Sequence, residues 1–225
     1  MKMVELIVQQ NQLLYTGTYS RPAFQLWDAG GTIIGGLYDA FNSFDVSLGD
    51  IKAEETGQSP LDQGVTVAFG LDGIYKFRFD KVELSFVNFT DQTLDKLPAI
   101  LSAADKWLRG AVPDLKLRMH QFQYGGHSGL SEGSADEILQ RVVKADFDVQ
   151  DGPLHAGVIL RWNQVEKGWG VQLTLDHSQV IAGGLFVWFA ITIMADGIDY
   201  NGTATEGRAV LEKSLAQFGL AFNRG

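Results

Sequence analysis

The chain contains no cysteine. Disulfides, thiolate nucleophiles and cysteine-ligated zinc or iron–sulfur centres are therefore excluded. Positive charge is in short supply: 18 Lys and Arg face 27 Asp and Glu, for a net charge of −9. Such a balance keeps a chain soluble and repels phosphate backbones and anionic lipid. It predicts no nucleic acid partner and no membrane partner. Long hydrophobic runs are missing too. Val180–Ala195 holds sixteen residues without a charge, short of the about 20 a membrane-spanning helix needs. Residues 1–12 lack the apolar segment and small-residue cleavage site of a secretory signal, so a cytoplasmic location is expected.

With 225 residues, 45% of them apolar and 11% aromatic, a sizeable core is available. The chain reads as a single α+β domain over 1–225, with pseudo-repeat halves at 1–112 and 113–225. Its organising element is Val180–Ala195. Phe186, Val187, Trp188, Phe189, Ile191, Thr192 and Ile193 have the β-branched and aromatic character of a strand buried on both faces.

In chain order, Val4–Val8 reads as a strand that Leu13–Tyr19 continues or pairs with. Thr32–Phe44 has helical spacing despite Gly35-Gly36, and the polar stretch Asp50–Gln63 reads as a surface loop. Val65–Phe69 and Ile74–Phe89 are strands around Asp72-Gly73, a hairpin signal. Tyr75, Phe77 and Phe79 occupy one phase and Val82, Leu84 and Phe86 the other. That switch predicts a bulge or bend at Asp80-Lys81. A turn at 91–96 and a helix at 98–109 follow, divided by Pro98.

Leu115–Tyr124 alternates as a strand and leads into a glycine-rich loop, 125–133. Capping boxes at Ser134–Glu137 and Thr203–Glu206 open two more helices. Residues 155–164 and 168–176 form a hairpin. The pattern as a whole predicts a mainly antiparallel sheet with three or four helices packed on it. A duplicated βαββ or ferredoxin-like arrangement fits the spacing.

Candidate site residues fall into five groups. Ser131 sits in Gly129-Leu130-Ser131-Glu132-Gly133, a match to the nucleophile elbow of serine hydrolases. The strand-to-helix turn that this motif needs is missing, so Ser131 reads first as a loop residue. His127 with the loop's amides offers an anion cradle, though neighbouring acidic residues oppose it. Asp176 with His177 at a strand end is the remaining acid/base candidate.

Of the four histidines, none forms a helical His-x-x-x-His pair. Asp146–Gly152 and Asp199–Gly202 miss the calcium-loop spacing, so no metal and no cofactor is expected. Lys76 and Arg78, with Lys116, Arg118 and His120, alternate with apolar residues on two strands. Were those strands paired, five basic groups would share one face and could dock an acidic partner or anion. Trp162 and Trp169 flank a turn and would stack across it, or form an aromatic platform if exposed.

The absence of a convincing catalytic group favours a non-catalytic interaction or assembly subunit, self-associating or bound to another protein. The alternative is a small-molecule binder with an apolar, aromatic-lined pocket. An unrecognised hydrolase ranks third.

Overall fold

The structure, a computed structural model, describes residues 3–26, 29–55, 61, 63–70, 73–142 and 157–223. Among these, ten strands and four helices follow in the order β1 (Val4–Tyr19), α1 (Gly30–Phe41), β2 (Ile51–Glu55), β3 (Gln63–Phe69), β4 (Gly73–Arg78), β5 (Lys81–Val87), α2 (Asp91–Ala111), β6 (Leu117–Leu130), α3 (Ala135–Val142), β7 (Val158–Gln164), β8 (Trp169–His177), β9 (Leu185–Ile193), α4 (Tyr200–Gln217) and β10 (Leu220–Phe222). The strands form one sheet in the order β2-β3-β4-β5-β1-β6-β9-β8-β7, and β10 adds to β1 in parallel. The expected class, a mainly antiparallel α+β fold, is present. Nothing in the strand order confirms a duplicated ferredoxin-like arrangement.

The chain divides into two compact units. The first comprises Met1–Gln12, Gln123–Ile191 and Thr205–Gly225, and the second Leu13–Phe122 and Thr192–Ala204. In the second unit, Ile33, Leu37 and Phe41 recur at helical spacing on α1, as do Leu97, Leu101, Ala104 and Leu108 on α2. Both stripes are buried in one cluster with Tyr75, Phe77, Val82 and Leu84 of the sheet. Gly36 lets the two helices approach, because a Cβ there would collide with the Trp107 indole. In the first unit, Val171, Leu173 and Leu175 of β8 are buried, as are Leu185, Val187, Phe189 and Ile191 of β9. β9 lies between β6 and β8, the interior place its composition predicts.

Several elements differ from expectation. Residues 51–55 form an edge strand, Ile51 facing Val67 and Ala53 facing Val65. Charges such as Lys52 and Glu54 suit an edge, where one side of the ladder stays open. The phase switch at Asp80-Lys81 is a tight reversal between β4 and β5, with Phe77 facing Val82. A reversal lets both apolar phases bury the same side of the sheet. Pro98 lies inside α2, which starts from a capping box at Thr90 and Thr93. Burial of that face outweighs the lost backbone bond, about 3 kcal/mol in an exposed helix. β6 runs on to Leu130, absorbing most of the glycine-rich loop. Helix α4 begins at Tyr200, ahead of the predicted box, where the Asp199 carboxylate accepts from the Asn201 amide at 3.1 Å. The calcium-like stretch 146–152, His155 and the Leu71-Asp72 turn lie outside the described residues. No described helix is long and apolar enough to cross a membrane.

Candidate functional site

The five basic candidates do not converge. β5 and β1 lie between β4 and β6 in the sheet. On β4, Lys76 stands opposite Glu83 and Arg78 opposite Gly64. Lys116 precedes β6, its Nζ 3.9 Å from Asp196. Arg118 is exposed, whereas His120 is fully buried.

His120 belongs instead to a polar cluster inside the second unit. Its Nδ1 lies 2.9 Å from the Tyr15 hydroxyl, which in turn is 3.4 Å from the Tyr200 hydroxyl. Burial pushes the phenols of Tyr15, Tyr75 and Tyr200 up, and the nearby Asp105 carboxylate adds to the effect. All three stay neutral donors. Burial also lowers the His120 pKa, against the opposing pull of Asp105 and the Ala195 carbonyl.

An unfolded histidine titrates near about 6.5. Below that pH the unfolded chain therefore binds a proton that native His120 refuses. The stability His120 contributes is complete above pH 6.5 and is lost as pH falls through its lowered native value. Urea midpoints at pH 7.5 and 5.5 should thus differ, and His120→Gln should shrink the difference. An equal pH dependence in the variant would exclude His120 as its source.

Of the other histidines, His127 and His177 lie in the first unit, where α3 packs against β8. His177 Nε2 is 2.7 Å from Asp136 Oδ1, and Asp176 Oδ1 accepts the His177 backbone amide at 2.7 Å. His127 Nδ1 lies 2.9 Å from Ser178 Oγ. That oxygen already accepts from the Val180 and Ile181 amides, at 3.2 and 2.9 Å. With both lone pairs engaged, its proton goes to His127 Nδ1. Ser178 is thereby a turn clamp with no lone pair free for attack.

Ser131 is occupied as well: its Oγ accepts the Glu5 amide at 2.9 Å and its amide donates to the Glu5 carbonyl at 3.0 Å. Ser178 escaped sequence reading, and Asp136 was read only as an acidic residue beside the loop, because tertiary pairing alone joins them to the histidines. Among the described residues, no three His, Cys, Asp or Glu side chains are placed to hold a metal ion.

Trp162 and Trp169 share a sheet face, as diagonal neighbours through the pairs Trp162↔Val171 and Gln164↔Trp169. They serve different surroundings. Trp169 is buried, with Lys167 Nζ 4.9 Å from its ring centroid. Trp162 is half-buried and lines a groove of about 590 Å³ between β7 and α4. Leu160, Ala209, Val210 and Phe218 complete the apolar lining. Gln164, Lys213 and Gln217 supply polar groups, and Lys167 is bonded to Glu206. Counting Lys167, Lys213 and Glu206, the groove carries one net positive charge in a chain of −9. Of these residues, only Trp162 was singled out by the sequence.

No family model matches the chain, and no curated protein matches it. Among solved structures it is similar to a rolling circle replication initiator protein from Geobacillus stearothermophilus, with a TM-score of 0.35 and 9% identity over 95% of this chain and 84% of that one. Two expectations conflict with that neighbour and are withdrawn. One is the non-catalytic interaction or assembly subunit with a protein partner; the other is the exclusion of nucleic acid. The latter rested on net charge, which is a sum over the whole chain and leaves local charge undetermined. A TM-score this low carries no argument for what the chain does, so a function has to come from its own geometry.

Proposed function

We propose that the first unit binds a small amphipathic molecule in the groove between β7 and α4, a flat apolar body resting on Trp162 and an anionic group reaching Lys213. The supporting observation is the half-buried indole in a groove of about 590 Å³. That volume lies within the about 300–1,000 Å³ usual for small-ligand sites. Indole offers a broad face at little entropic cost, so it suits a flat ligand. Glu206 already neutralises Lys167. Lys213 is left as the cation for an anionic group.

The probe that fits is 8-anilinonaphthalene-1-sulfonate, which combines fused rings with one sulfonate. Native protein should bind it with enhanced fluorescence and a raised melting temperature. Trp162→Ala should weaken binding at least tenfold, about 1.4 kcal/mol, without changing the urea midpoint. Lys213→Glu should weaken it while leaving a neutral naphthalene probe unaffected. Wild-type affinity in Trp162→Ala would sink the assignment.

A further inference from the structure

The second unit encloses a much smaller cavity. Its volume is about 10 Å³, and Tyr15, Tyr75, Tyr200 and Asp105 line it together with aliphatic residues including Val82 and Leu101. The Tyr75 hydroxyl and Asp105 Oδ1 are both shut off from solvent, and neither has a hydrogen-bond partner among the described residues. Buried polar atoms of this kind are costly unless a partner reaches them.

The other Asp105 oxygen, Oδ2, is held by Arg109 Nε at 2.9 Å, which fixes the carboxylate on α2. Tyr15 and Tyr200 lie close enough to interact with each other, at 3.4 Å between hydroxyls. Because the other lining side chains are aliphatic, they offer Tyr75 no acceptor.

We propose that this cavity is an internal hydration site for a single water molecule, which accepts from the Tyr75 hydroxyl and donates to Asp105 Oδ1. A cavity of about 10–15 Å³ accommodates one water, and a buried water needs two to four polar partners. Tyr75 and Asp105 supply two, and the Tyr200 hydroxyl oxygen supplies a third for the second proton. The bridge joins α2 to β4 where the two side chains do not bond directly. It also delivers the Asp105 charge into the phenol cluster through a hydrogen bond. Its ligand is water, and it is independent of the groove in the first unit.

A crystal structure of the full chain at a resolution that places solvent is the direct test. One ordered water should lie within about 3.2 Å of both Tyr75 Oη and Asp105 Oδ1. In Tyr75→Phe that water should lose occupancy or shift toward Tyr200. In solution, the wild-type Tyr75 hydroxyl proton should show a cross-peak to a long-lived water in water-selective NMR. A direct Tyr75–Asp105 hydrogen bond, a dry cavity, or density with the short contacts of a metal cation would each overturn the proposal. The wild-type measurements decide it even if the variant fails to fold.

Discussion

Phe77→Ala should remove about 4 kcal/mol of unfolding free energy, seen as a large fall in the urea midpoint. Phe77 is completely buried on β4, between Val65 of β3 and Val82 of β5. Its ring meets Phe79 edge-on at 6.0 Å and Trp107 edge-on at 5.5 Å. Truncation would lose the transfer energy of the ring, leave a cavity inside a sheet that cannot collapse around it, and break both aromatic contacts. Total stability of an ordinary domain is about 5–15 kcal/mol, so this one change consumes a large share. Ile74→Ala, on the opposite phase of the same strand and 39% exposed, is the control and should cost about 0.5 kcal/mol or less. A loss below about 1.5 kcal/mol for Phe77→Ala would mean that the β4 core repacks, contrary to the burial described.

Where one residue type repeats at one period, the fold was legible in the sequence. The stripe of α2, the β-branched density of β9 and the reversal between β7 and β8 each announce their element locally. Legibility failed where the deciding partner is distant. Lys52 and Glu54 look like loop residues until β3 is seen beside them, because an edge strand tolerates charge that an interior one does not. Phe79-Asp80-Lys81 carries no glycine or asparagine turn signal, so two apolar phases read as one bulged strand. Gly125, Gly126 and Gly129 look like loop, yet they lie inside β6, a central strand held by pairing on both sides. Propensity is the weaker term there.

The candidate site was less legible still, for a related reason. Trp162 drew notice because it is an aromatic residue near a turn. The facing wall of the groove comes from α4 and the residue after it, more than forty positions away, and Lys213, Gln217 and Phe218 look like any helix surface and helix end. Only the packing of α4 beside β7 turns them into a lining. The basic stripes failed in the opposite direction. Alternation correctly placed Lys76 and Arg78 on a strand, but strand order decides which stripes meet, and order is a non-local property. His120 shows the same limit: it ends an alternating run of cations yet lies buried against Tyr15, where only its neutral form is comfortable.

Gly64→Ala should cost about 3 kcal/mol, at the upper end for inserting a methyl group into a packed site. A Cβ on Gly64 would fall inside the van der Waals envelope of the Phe77 carbonyl oxygen and 3.3 Å from Arg78 Cγ. Arg78 can swing aside. The Phe77 carbonyl is backbone within the β3–β4 ladder, whose pairs Gly64↔Arg78 and Val65↔Phe77 hold it in place. Relief would require the strands to separate or slip, and a one-residue slip would turn Val65 and Val67 out of the core. The same substitution at Gly35 should have the opposite sign. A Cβ there meets nothing within 4 Å, and alanine is preferred over glycine by about 1 kcal/mol in a helix interior. Gly35→Ala should therefore raise the urea midpoint while Gly64→Ala lowers it. Equal effects at the two positions would show that general glycine flexibility governs both, in place of the close approach of two strands at Gly64.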